Sequence, residues 1–195
     1  MARTLEFDLD NALGKAMRLF WKSGYAGTSL RDLLKSMGIG EGSFYNTLKS
    51  KKHAYLESLK RYNATVGRQR GEALFAAPTA NLGVRALFQL VLDCLDDPKV
   101  PSRLCLMAGS ITREVLAEPE LRKYVQQQMS MLAEGMIARL TADKESGLLP
   151  PDFDPRIVVP IIITYLQGLF RMALVSYDRP KFEQQINLFL TGLRL

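Results

Sequence analysis

The sequence is poor in the residues on which catalytic and metal centres depend. It has one histidine, His53, and two cysteines, Cys94 and Cys105. Two cysteines cannot build a disulfide framework, and neither has the paired spacing of a zinc ligand set. They read as small core hydrophobes, with a redox pair flanking one short connection as the alternative. His53 follows Lys51 and Lys52 at a basic helix start, with no acid or cysteine patterned beside it to make it an acid, base or nucleophile. The segment Gly38-Ile39-Gly40-Glu41-Gly42 follows a helical pattern rather than a strand and so fails the test for a dinucleotide-binding loop. These shortages point away from an enzyme, and no catalytic residue, cofactor or metal is expected.

Other features are missing too. There is no alternating strand pattern, no low-complexity tract and no repeat at a fixed period. The longest apolar stretch, Ile157 to Tyr177, is interrupted by Pro160, Gln167 and Arg171, so a buried interface helix is expected there rather than a membrane span. The first residues carry acids early and lack an apolar run, which leads to the expectation of a cytoplasmic protein.

What is present is helical. Apolar residues make up 47% of 195 positions, enough for a sizeable core. The spacing predicts helices over about 10–22, 30–37, 41–48, 51–75, 81–96, 102–117, 118–144, 154–177 and 180–193. The predicted fold is therefore all-α, with about nine helices. Pro78 marks a boundary between an N-terminal unit and the rest. Residues 1–70 carry 13 Lys and Arg against 6 Asp and Glu, whereas residues 71–195 carry 13 against 14. The whole positive excess thus sits in the first third, as suits a polyanionic partner.

Two short helical patterns between Thr28 and Leu48 are joined by Met37-Gly38-Ile39-Gly40, which is the length and turn chemistry of a helix-turn-helix. Ser29 and Asp32 have capping-box spacing at the start of the first. Gly38 supplies the left-handed exit, and Ile39 fills the gap between the helices. The second exposes Gly42, Ser43, Tyr45, Asn46 and Thr47 around Phe44 and Leu48. Hydroxyls suit phosphates or base edges, an amide can pair with adenine, and a glycine allows close backbone approach, so this face has the chemistry of a major-groove reader.

The stretch from Phe20 to Tyr55 resembles the N-terminal domain of the TetR/AcrR family of transcriptional regulators. The resemblance rests on Leu19-Phe20, Gly24, Gly27-Thr28-Ser29, Gly38-Ile39, Gly42-Ser43-Phe44-Tyr45 and Ser50-Lys51. It implies a three-helix DNA-binding domain over 1–56, a linking helix over 51–75, and an effector-binding and dimerisation domain over 76–195. By the same resemblance, Thr28, Ser29 and Arg31 would touch backbone phosphates and Gly42, Ser43, Tyr45, Asn46 and Thr47 would form the recognition face. Lys51 would bind phosphate at a helix N-terminus, and Arg3 would reach the minor groove. The sequence departs from the family pattern at Glu41, Leu48, Leu34 and Lys52, which leaves the operator sequence open.

Beyond Asn81 the likeness is one of length and helical pattern. The helices at 154–177 and 180–193 carry Val158, Ile161, Ile162, Tyr165, Leu166, Leu169, Phe170, Leu174, Ile186, Leu188, Phe189 and Leu193, more apolar surface than one buried face needs, and the family implies a homodimer through them. An unknown small-molecule effector would sit among the middle helices, with Phe88, Leu92, Met107, Ile111, Met129, Leu132, Met136, Ile137 and Tyr165 as candidate neighbours, each of them better explained one by one as plain core. The expected function is a regulator on a palindromic double-stranded DNA operator, a repressor released by its effector. A helical carrier of an apolar molecule without DNA binding is the alternative.

Overall fold

The computed structural model describes residues 9–195, and every regular element among them is helical. In chain order these are α1 (Leu9–Ser23), α2 (Leu30–Met37), α3 (Glu41–Leu48), α4 (Lys51–Tyr62), a π-helical turn (Asn63–Gly67), α5 (Arg68–Ala76), α6 (Ala80–Asp96), α7 (Leu106–Gly109), α8 (Arg113–Ala117), α9 (Pro119–Glu145), α10 (Pro155–Val175) and α11 (Arg179–Gly192). Their starts are chemically marked. Ser50, Thr79 and Thr112 each accept a backbone N–H three residues on, from His53, Leu82 and Val115. Pro119, Pro155 and Pro180 occupy the first turns of α9, α10 and α11, where a missing N–H costs nothing.

Two expected helices are interrupted. The one over 51–75 passes through the π turn, where the Thr65 hydroxyl bonds back to the carbonyls of Arg61 and Tyr62 and competes with the regular ladder. The one over 102–117 is irregular and bent until Cys105 and breaks after Gly109. There Ser110 returns its hydroxyl to the Leu106 carbonyl at 2.8 Å, and Thr112 caps a new start. Pro160 lies exposed in the second turn of α10, which is helical on both sides of it.

One contiguous core runs through the molecule. Ala16, Phe20, Leu33, Phe44 and Leu59 fill its N-terminal end, and Leu74, Phe88, Leu121, Met136, Ile162 and Phe170 its C-terminal end. The seam between them is fixed by directional contacts. Trp21 Nε1 donates to the Leu104 carbonyl at 2.8 Å, its ring meets Tyr62 edge-on, and the Tyr55 hydroxyl lies 3.0 Å from Ser110 Oγ. Burial pushes Tyr55 up to about 12 despite the Ser110 contact. An unfolded tyrosine ionises near pH 10, so the folded chain is expected to keep its full stability below that pH. Tyr55 by itself should account for a loss of about 2 to 3 kcal/mol between pH 10 and 12, as the unfolded state releases the proton first. Denaturant titrations at stepped pH should show this slope flattened in Tyr55→Phe.

Gly83 sets how closely α5 and α6 approach, because a Cβ there would stand 2.1 Å from the Leu74 carbonyl oxygen. Helix propensity alone would favour alanine by about 1 kcal/mol. Backbone overlap of this size is worth more, so Gly83→Ala is expected to destabilise by about 3 kcal/mol net, read from the denaturation midpoint.

The helix α10 is long and apolar enough to cross a membrane, with a mean hydropathy of 1.8. Its Val159, Ile162, Leu166, Leu169, Phe170 and Ala173 nevertheless pack into the chain's own core. Ile157, Ile161, Met172, Leu174 and Val175 on α10 and Leu188 on α11 remain exposed. The apolar residues of the last two helices thus divide between the subunit's interior and an outward strip.

Candidate nucleic-acid interface

The site grows from local chemistry in α2 and its flanks. Ser29 caps α2, accepting the Asp32 N–H at 3.1 Å, while the Asp32 carboxylate accepts the Ser29 N–H at 3.2 Å and the Ser29 hydroxyl. These bonds from Ser29 hold the Asp32 carboxyl below the usual carboxylate range. At the other end Gly38 leaves the helix at φ 74°, a left-handed conformation costly to any residue with a Cβ. The N–H groups of Gly38 and Ile39 both return to the Leu34 carbonyl, at 2.9 and 3.2 Å. That closes the turn so that α3 starts at Glu41.

The α3 helix is anchored by Phe44 and Leu48, both buried, which turns Gly42, Ser43, Tyr45 and Asn46 outward and leaves Thr47 half-buried. Tyr45 is 46% exposed and rests edge-on against the Phe44 ring. Among the described residues nothing lies within 4 Å of where a Cβ at Gly42 would be, so their packing has no steric need for glycine there. The α4 helix begins three residues after α3 ends, and the half-buried Lys51 holds its ammonium 4.6 Å from the Tyr25 ring centre. Burial draws the Lys51 ammonium down from its ordinary value. Its neighbour Lys52 pairs instead with Glu118 at 3.5 Å, across the seam to the helices beyond.

The residues expected at the start of α2 behave differently from one another. Arg31 is exposed. Thr28 is buried, and its hydroxyl donates to the Gly24 carbonyl at 2.7 Å, so the side chain expected at phosphate instead braces the loop before α2. The Ser29 hydroxyl is exposed but spent on the capping box. What this helix start offers an anion is therefore its free first-turn amides together with the Arg31 guanidinium. Arg3 lies outside the described residues.

Among the candidate effector neighbours, Met107, Met129 and Leu132 line one cavity of about 350 Å³, together with Tyr62, Arg70, Gln167 and Phe170. Phe88 and Leu92 line a separate groove with Arg85 and Ile186, Met136 is buried in the core, and Tyr165 stacks on Phe189. Sequence reasoning missed Arg70 and Gln167. Gln167 is a polar position inside an otherwise apolar helix, and that was the available signal, whereas Arg70 sits among Arg68, Gln69 and Glu72 and gave none.

Two helices joined by a three-residue turn, the second presenting a polar face beside a half-buried lysine, define a helix-turn-helix protein of the DNA-binding regulator class. Residues 12–55 match the sequence model of the bacterial regulatory proteins, tetR family. Along its length the chain is 28% identical to the uncharacterized HTH-type transcriptional regulator YezE of Bacillus subtilis, covering 99% of this chain and 100% of that one. It is 24% identical to the HTH-type transcriptional repressor ComR of Escherichia coli, covering 97% and 89%. Its structure superposes on a cysteine-substituted TetR family regulator, CifR, in complex with a 26 bp double-strand operator DNA. The TM-score is 0.83, at 29% identity and 98% coverage of both chains. The chain thus carries a tetR-family DNA-binding domain and has, along its whole length, the fold of a TetR-family transcriptional regulator.

Proposed function

We propose that this protein binds a palindromic operator as a homodimer, represses transcription from it, and is released by a small-molecule effector. The observation that carries the reading is the outward face of α3. Gly42, Ser43, Tyr45, Asn46 and Thr47 are held by buried Phe44 and Leu48, with Arg31 and Lys51 on the flanking helices. Exposed polar groups on a helix that a rigid core holds in place suit base edges, and the flanking cations and free helix-start amides suit phosphates. A glycine that packing does not require, Gly42, suits close approach of the duplex.

We read residues 1–56 as the DNA-binding unit, 51–75 as the link and 76–195 as the effector and dimerisation domain, acting in the cytoplasm. The outward strip of Ile157, Ile161, Met172, Leu174, Val175 and Leu188 supports the homodimer, since a symmetric pair of such strips buries both. Repression follows the relatives named as repressors, and CifR was solved on operator DNA. Contacts across the seam, Lys52 with Glu118 and Tyr55 with Ser110, support coupling. A shift of α7 to α9 on effector binding would pull α4 and change the spacing of the two recognition helices.

Selection from a random duplex pool tests the reading. The expected product is an inverted repeat whose half-sites are about one helical turn or more apart. Retention of duplexes without a shared sequence would defeat it.

A further inference from the structure

The cavity between α5, α7, α9 and α10 contains a charge that no carboxylate among the described residues neutralises. Arg70, on the first turn of α5, donates through Nη1 to the Tyr62 hydroxyl at 3.2 Å and to Cys105 Sγ at 3.4 Å. Its guanidinium carbon lies 5.4 Å from the Phe170 ring centre. Nη2 is enclosed and meets no acceptor among the described residues. Nor does any carboxylate among them form an ion pair with Arg70. Burial pushes the Tyr62 phenol and the Cys94 thiol up, so neither of these supplies the missing negative charge. A guanidinium keeps its charge at any physiological pH, and an unpaired buried charge is far more costly than a neutral polar group.

A second enclosed polar atom, Gln167 Oε1 on α10, is likewise without a partner and lines the same cavity. The remaining wall is apolar and includes Leu74, Met129, Leu132 and Phe170. At about 350 Å³ the cavity falls at the small end of the range for ligand pockets. The free guanidinium nitrogen suits one negative charge, and the Gln167 amide in the same cavity can turn to present either an acceptor or a donor. We propose that this cavity takes a small amphipathic carboxylate, its head on Arg70 Nη2 and the Gln167 amide and its apolar body against Leu74, Met129, Leu132 and Phe170.

The inference names the chemistry of the effector and so rests on the reading of the chain as a ligand-responsive regulator. Its position suits that role. Asn63 and Gly67 of the π turn line the same cavity, and Asn63 Nδ2 also donates to the Tyr124 hydroxyl and to Gln128 Oε1 at 3.0 Å each. A head group drawing Arg70 inward thus acts on the irregular turn through which α4 continues into α5.

The test uses the full chain and two matched pairs of probes, decanoate with decanol and naphthoate with naphthylmethanol, by calorimetry and thermal shift. Wild type is expected to bind at least one acid about tenfold or more tightly than its alcohol. Arg70→Met should lose that preference while melting no lower than wild type without ligand, since it removes an unpaired buried charge. Arg70→Lys, which keeps the charge, should retain part of the preference and serves if the methionine variant does not fold. Wild type binding neither acid, or binding acid and alcohol alike, overturns the proposal, as does a preference unchanged in Arg70→Met. An acid that binds through Arg70 without loosening the protein from its selected duplex leaves the carboxylate site standing and defeats release by an effector.

Discussion

Replacing Tyr45 and Lys51 together by alanine is expected to lower operator affinity by roughly three orders of magnitude while leaving the protein folded and dimeric. A contact to a base edge or a phosphate contributes about 1 kcal/mol or more, and a dimer carries the double change twice, so the loss reaches about 4 kcal/mol. Two phosphate contacts disappear with the two lysines, so the slope of log affinity against log salt should shrink by about 2. Little folding stability is at stake. Tyr45 is 46% exposed, and Lys51 gives up its position over the Tyr25 ring, an interaction of about 0.5 to 1 kcal/mol. Fluorescence anisotropy at several salt concentrations, with a melting curve as control, measures both quantities. A variant that binds as well as wild type would show that the α3 face is not the reader.

Charging the outward strip should have an effect of similar size by a different route. In Ile161→Asp combined with Leu188→Glu, two carboxylates enter a surface that is now apolar and exposed on α10 and α11. If that surface closes on its own copy, symmetry places four unpaired charges in the interface at about 3 kcal/mol each. The total, about 12 kcal/mol, equals a whole nanomolar association, so the variant is expected to be a monomer. Its affinity for the full operator should fall to that for a half-site. Sedimentation velocity reads the first result and titration of full and half duplexes the second. Neither Ile161 nor Leu188 belongs to the buried core, so the monomer should remain helical. A variant that stays dimeric would place the interface elsewhere.

The helix-turn-helix was legible in the sequence because each of its determinants is local. The Ser29 and Asp32 capping box, the left-handed Gly38 and the spacing of Phe44 and Leu48 each act within a turn or two of the chain. What could not be read was where side chains turn once distant elements close on them. Thr28 has the chemistry of a phosphate ligand, yet the loop from Gly24 folds back to take its hydroxyl. The basic excess of residues 1–70 counts Arg61 and Arg70 equally with Arg31. Arg61 is engaged by Asp10 at the surface between α1 and α4, and Arg70 turns into a cavity, so part of the charge counted toward DNA is occupied within the subunit.

The last two helices show the same limit in apolar form. Ile161 and Ile162 are neighbours of equal hydrophobicity, yet Ile162 is in the core and Ile161 is 43% exposed. Periodicity identifies a helix with too much apolar surface but does not say which stripe faces its own subunit. The break between α7 and α8 was obscured for a related reason. The Ser110 hydroxyl ends α7 by bonding to Leu106, a choice that depends on Tyr55 arriving from α4.

The most direct test of the account is the salt dependence of binding to the selected inverted repeat, with a scrambled duplex of the same length as reference. The expected result is one dimer per duplex, with preference over the scrambled sequence by about a thousandfold or more and affinity falling steeply as salt rises. Equal affinity for both duplexes, or binding indifferent to salt, would contradict a sequence-specific regulator and leave the helical domain without its assigned partner.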